Sequence, residues 1–383
     1  MLECQKHKFN LDEHIIYLNG AYMSPNLKSV EQAGIDAIRQ KNNPYVIQSK
    51  DFFDPVNVSR KLFAELIHLD DPDRIAIIPS VSYGMANVSN NIDFSANDEI
   101  LMIDEQFPSN YYCWKSCVEE YNVVLKVIDA PDSSTRGQDW SSAIINAITD
   151  LTKVVTLPIV HWSDGTIFDL KAITEKAHAH NALVVIDGTQ SIGAMEFDLS
   201  EIPVDALICA SYKWLLGPYS LGFAYYGAAF DNGKPIEESW MTRESSEDFA
   251  GLVNYSDKYQ PKAFRYNVGQ FSNFNLLPMA ESALRQLLEW TPKEISRYCE
   301  IISEPIHELH QEFELEQPSW RANHLFGIRP KKSIDLAVLK QTMAEQNIYL
   351  SIRGDSIRIS PNVYNTKEDL HILSGHLKKA INS

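Results

Sequence analysis

Leu183-Val184-Val185-Ile186-Asp187-Gly188-Thr189-Gln190, followed by Asp205-Ala206-Leu207-Ile208-Cys209-Ala210-Ser211-Tyr212-Lys213-Trp214, decides the fold. Each stretch opens as a short apolar run rich in β-branched residues and ends in a polar break, the pattern of a parallel strand covered on both faces. Asp187 and Lys213 then stand at the carboxyl ends of two strands. Ligands of open α/β sheets bind along that edge, so an acid and an amine leaving neighbouring strands face one crevice. Taken singly, the aspartate reads as a turn or cap residue and the lysine as a solvated side chain. Paired in this order, they read as two ends of a cofactor site.

Pyridoxal 5′-phosphate (PLP) is a cofactor that needs both groups. Its aldehyde requires a lysine amine for a Schiff base, and its ring nitrogen requires a carboxylate to hold the proton that makes the ring an electron sink. Asp187-x-x-Gln190 and Ser211-Tyr212-Lys213 resemble the two central motifs of the class V aminotransferase family of fold-type-I PLP enzymes, which includes cysteine desulfurases, kynureninases and isopenicillin N epimerases. The resemblance implies an α/β fold with a large domain, built on a mainly parallel seven-stranded sheet between helices, and a small α/β C-terminal domain. It implies an N-terminal arm over 1–20, a PLP-binding domain over 21–262, and a linking helix with the small domain over 263–383. It also implies a homodimer with shared active sites, and Gln190, Ser211 and Tyr212 beside the cofactor.

The 383 residues suffice for two domains and a substantial core, and 44% hydrophobic with 22% charged residues is an ordinary globular composition. A net charge of −17 argues against nucleic acid or an anionic membrane as partner. The five cysteines are odd in number and lack zinc-type spacing, so no metal site is expected. They favour a reduced, cytoplasmic setting. The N-terminus lacks the apolar core of a signal peptide, and no apolar run reaches membrane-spanning length.

Further candidates follow along the chain. Tyr17-Leu18-Asn19-Gly20 resembles the family's opening motif, a loop at the active-site mouth, which makes Asn19 a substrate contact; a plain structural loop is the alternative. Arg74 to Pro79 reads as the first strand of the large domain, and Ser80-Val81-Ser82-Tyr83 turns it into a helix. The N-terminus of that helix suits an anion, so Ser82 and Tyr83 are assigned to the cofactor phosphate; simple capping by a serine is the other reading. Phe107, after the strand 99–104, is the flat group for the cofactor ring, at a position where desulfurases place a histidine. His161 and Trp162 occupy the place where family members contact the cofactor's phenolic oxygen and the substrate, often with asparagine. Arg265-x-x-x-Gly269-Gln270 resembles a motif lent across the dimer interface, with glutamine where threonine is usual. Arg358, followed by Tyr364-Asn365-Thr366, matches the family's ending and is the substrate-carboxylate clamp.

The expected activity is chemistry at an amino-acid α-carbon, most plainly a class V aminotransferase, with epimerase, lyase or kynureninase-like hydrolase as alternatives. A cysteine desulfurase is excluded on sequence, because no cysteine lies between Tyr349 and Arg358, where the attacking thiolate would sit. A non-catalytic or nucleotide-binding α/β protein is a remote alternative, as no G-x-G-x-x-G or Walker sequence occurs.

Overall fold

Runs of Val, Ile, Leu and Ala become seven strands of one sheet in the computed structural model, which describes residues 2–133 and 135–382. They are β1 (Ile75–Ile78), β2 (Glu99–Ile103), β3 (Val124–Ile128), β4 (Thr152–Pro158), β5 (Leu183–Asp187), β6 (Ala206–Ala210) and β7 (Gly222–Tyr226). Their spatial order is β1-β7-β6-β5-β4-β2-β3. Strand β7 runs antiparallel to both β1 and β6 while every other pair is parallel, so the sheet is mainly parallel, as the family resemblance implied. Ile75 and Ile77 of β1 enter one buried cluster, Ala76 and Ile78 the other. Such alternation places a hydrophobic core on each face of the sheet.

Helices α1 (Lys28–Gln40), α2 (Asp54–Leu66), α3 (Val81–Ser89), α4 (Pro108–Tyr121), α5 (Arg136–Ala147), α6 (Leu170–Ala179) and α7 (Leu276–Trp290) accompany the sheet, and α7 packs on α1 and α2. Asp169 starts α6 by accepting the Ala172 N–H at 3.1 Å, a cap worth about 1 kcal/mol. Gly84 lets α3 lie against β6: a Cβ there would meet Ile208 Cγ2 at 2.6 Å. That close approach sets where the helix N-terminus points.

The C-terminal part holds α8 (Pro292–Ile302), α9 (Leu336–Glu345) and α10 (Lys367–Asn382) with β8 (Phe313–Glu314), β9 (Phe326–Pro330), β10 (Ser351–Arg353) and β11 (Ser356–Ile359). Its antiparallel sheet has the order β10-β11-β9-β8. The N-terminal segment is stitched to this part, Ile16–Tyr17 pairing in parallel with Ile348–Tyr349. Helix α8 stops at Ile302 and is followed by short turns from Glu304, where Pro305 cannot continue the hydrogen-bond ladder. The extended stretch from Ile348 to Arg353 divides at Leu350, its first part pairing with the N-terminal segment and its second with β11.

Candidate active site

Strand β5 ends with Asp187 between Pro158 of β4 and Ile208 of β6. Its Oδ1 accepts the Thr189 N–H at 2.9 Å. After β6 the chain turns sharply, held by Ser211, whose Oγ donates to Pro218 O at 2.5 Å. This turn sends Lys213 back over the strand ends, where only 6% of the residue stays exposed. Lys213 Nζ lies 5.4 Å from the Phe107 ring centre and 5.5 Å from that of Tyr212, and among the described residues no group accepts a hydrogen bond from it. Burial pushes its pKa down to about 8, against the pull of Asp187. Burial likewise raises the Asp187 carboxyl, against its hydrogen bonds to Thr189 and the charge of Lys213. Each partner is thus short of the charge that would settle it.

A cavity of about 330 Å³ contains both groups, walled by Ser80, Val81 and Ser82 on one side and by Phe107, Trp162 and Tyr219 on another. Ser80 caps α3, accepting the Tyr83 N–H at 3.2 Å; the earliest N–H groups of a helix have no partner within it. These features fit pyridoxal phosphate: donors at a positive helix end for its phosphate, an aromatic wall for its ring, an acid for its ring nitrogen and an unpaired amine for its aldehyde.

A second space of about 350 Å³ shares Phe107, Trp162, Gln190, Tyr212, Lys213 and Tyr219 with the first and is further lined by Tyr22, Arg353 and Arg358. Arg358 is 1% exposed. It donates from Nη1 to Trp162 O at 2.8 Å, while its buried Nε and Nη2 have no partner. Burial, then the nearby Arg353, pushes its pKa down to about 9.

The structure therefore brings together Ser82, Phe107, Trp162, Asp187, Gln190, Tyr212, Lys213 and Arg358. The Gln190 side chain is already bridging Ala21 O and Trp214 Nε1. Ser211 acts from behind as a turn holder, and Tyr83 lines neither cavity. His161 does not reach the site. It is fully buried, bonded to Asp164 Oδ1 at 3.0 Å and Glu105 O at 3.2 Å, because the turn at Gly165 (φ +79°) folds 161–166 inward; a Cβ on that glycine would strike Leu325 O. Asn19 is turned aside too, accepting the Ser351 hydroxyl at 2.7 Å. Gly269 N–H donates to Glu237, and Gln270 is exposed, away from this chain's own cavities. Sequence reading missed Thr189, Tyr219 and Arg353. None of the three carries a sequence signal of its own: it is the pairing of β10 with β11 that puts Arg353 on the face of Arg358.

Fold and site together define a fold-type-I PLP enzyme. The Aminotransferase class-V family profile matches residues 17–241, and the chain belongs to that family, whose cofactor is pyridoxal 5′-phosphate. Over 325 residues it is 27% identical to the uncharacterized aminotransferase YcbU of Bacillus subtilis (strain 168), covering 84% of this chain and 82% of that one. Over 340 residues it is 23% identical to the isopenicillin N epimerase of Amycolatopsis lactamdurans, covering 80% and 81%. The apo cysteine desulfurase of Thermococcus onnurineus NA1 superposes with a TM-score of 0.85 at 18% identity, covering 100% of this chain and 99% of that one. Among the described residues no helix is long and apolar enough to cross a membrane.

Proposed function

We propose that this chain is a class V aminotransferase acting at the α-carbon of an amino acid, with Lys213 as cofactor attachment point and base. One observation carries the reading: a single cavity joins Asp187, the start of α3 and an amine that has no hydrogen-bond acceptor among the described residues. When bound, PLP supplies an electron sink for bonds at the α-carbon. Asp187 keeps the proton on the ring nitrogen, the N-terminus of α3 with Ser82 holds the phosphate, and Phe107 with Trp162 walls the ring from water. Arg358 binds the substrate carboxylate through the fork of N–H groups now unused. Lys213, with a pKa near 8, both takes and returns a proton near neutral pH. Transamination is favoured over two-base epimerisation because, among the described residues lining the two cavities, Lys213 is the one amine, and a single group that takes a proton and returns it at a neighbouring carbon suffices for transamination.

Cysteine desulfuration is not the proposed activity. The segment before Arg358 is a tight hairpin whose two-residue turn, Gly354-Asp355, holds no thiol. Cys209 and Cys299 are buried with their pKa values raised by burial. We further propose division into an arm (1–20), a large domain (21–262) and a small domain (263–383), placement in the cytoplasm, and a homodimer. In the dimer Gly269 and Gln270 face the partner's phosphate, the role the Arg265-x-x-x-Gly269-Gln270 motif suggests, and Gln270 is exposed and free to make that contact.

Borohydride reduction of the PLP-loaded protein followed by peptide mapping tests the reading. Label is expected on Lys213 with loss of visible absorbance; label on another lysine, or none, overturns it. The same preparation given cysteine and a reductant should release no sulfide with alanine as co-product. Sulfide with pyruvate would make it an eliminating lyase instead.

A further inference from the structure

Strands β10 and β11 pair antiparallel with Ser351 opposite Arg358 and Arg353 opposite Ser356. Directly opposed residues share a face and so do residues two apart along a strand, so Arg353 and Arg358 are diagonal neighbours on one face, about 7–8 Å apart at Cα. Both line the second cavity, beside Lys213. A carboxylate within ion-pair reach would be the ordinary way to neutralise either, especially in a chain of net charge −17. Among the described residues neither has one. Arg353 donates from Nη1 to the adjacent Ile352 O at 2.8 Å and lies 5.7 Å from the Trp162 ring centre; Arg358 donates only to Trp162 O.

One guanidinium suffices for the α-carboxylate of an amino acid. A second one, half-buried and unneutralised in the same space, raises the cost of both in the ligand-free protein, since like charges disfavour one another. Such an arrangement suits a ligand that brings two negative charges. The partly exposed position of Arg353, farther along the hairpin toward its turn, places it on the side-chain end of a substrate whose α-carboxylate is held by the deeper Arg358.

We propose that the substrate is an amino acid bearing a second acidic group on its side chain, held by Arg353 while Arg358 holds the α-carboxylate. This inference rests on the amino-acid reading above. It is tested first by binding without chemistry, titrating the PLP-loaded protein calorimetrically with glutarate and with pentanoate, which differ by one carboxylate. Glutarate is expected to bind at least about 10-fold tighter, as one charged hydrogen-bonded contact is worth about 1.5–3 kcal/mol. Arg353→Gln should remove most of that advantage while changing pentanoate affinity less than about threefold, and Arg353→Lys should keep part of it. Equal affinities for the two acids, or equal weakening of both by Arg353→Gln, would overturn the proposal. A parallel readout separates the two readings. If glutamate and 2-aminoadipate change the absorbance of the bound cofactor at far lower concentration than glutamine and norleucine, both stand. If neutral and acidic amino acids act alike, the α-carbon reading stands and this one falls; if no amino acid acts, both fall.

Discussion

Three arginines project from one face of the small sheet, and they are treated in two ways. Gly327 of β9 is opposite Arg358, so Arg329, two residues on, shares the face with Arg358 and Arg353. Arg329 meets Asp164 at 3.2 Å and Asp355 at 3.0 Å. Asp164, 4% exposed, also receives Arg136 at 3.2 Å and His161 at 3.0 Å. Burial works to raise its carboxyl, and His161, Arg136 and Arg329 outweigh that and hold it well below the usual range. Arg358 and Arg353 have no carboxylate, and Lys213 no hydrogen-bond acceptor, among the described residues. A neutralised cluster joins the large sheet to the small one; an unneutralised one waits for a ligand. Buried charge is costly unless paired, so where the chain leaves it unpaired, function is the reason to look for.

The comparison breaks most visibly at Asp164. Asp164→Asn should destabilise the protein by about 3–5 kcal/mol, because it removes the buried carboxylate that His161, Arg136 and Arg329 share and leaves the arginines only Glu105 and Asp355. Urea or thermal unfolding of the ligand-free protein measures this. A loss below 1 kcal/mol would mean that the cluster is not what joins the two sheets.

Most of the architecture was legible because it is written in contiguous signals. Strands β5 and β6 are unbroken apolar runs, and Asp187 and Lys213 follow them directly, so their meeting needed only the rule that parallel strands end on one edge. Arg358 stands out by the resemblance of the ending Arg358…Tyr364-Asn365-Thr366, and it lies on β11 in the wall of the second cavity. His161 was misplaced because its position after β4 suggested the crevice, whereas the left-handed turn at Gly165 and the pull of Asp164 rotate it into the core. Arg353 was passed over as part of a short connection, since only the pairing of β10 with β11 puts it on the face of Arg358. Asn19 was read as a substrate contact, but its partner is Ser351, distant in sequence. Contacts between far-separated segments leave no periodic trace.

A second test uses the burial of Lys213, which outweighs the pull of Asp187. Its pKa is about 8 when folded against 10.5 as the ordinary value. Below about pH 8 the lysine is protonated in both states and the burial penalty is fully present. Between 8 and 10.5 the unfolded chain holds a proton that the folded chain has released, so stability rises with pH. The gain approaches about 3 kcal/mol. It is read as the difference in unfolding free energy between the ligand-free wild type and Lys213→Met across that range, so that other titrating groups cancel. A difference that does not vary with pH would show that the amine is already neutralised by Asp187.

The smallest expected effect is the sharpest, because it falls where size and burial argue for a large one. Arg358 is among the largest fully buried side chains, and removal of such a residue ordinarily costs several kcal/mol through lost packing. Here the charge itself is a burden: two of its nitrogens have no partner, and Arg353 pushes against it. Arg358→Met keeps most of the volume, gives up the bond to Trp162 O, and relieves an unpaired buried charge. The opposing contributions are of similar size, so unfolding of the ligand-free protein should move by less than about 1 kcal/mol in either direction. Carboxylate affinity should nevertheless fall at least about 30-fold, the loss of a charged, bidentate contact. A destabilisation like that of Asp164→Asn would place Arg358 with the structural charges, and the contrast between the two clusters would dissolve.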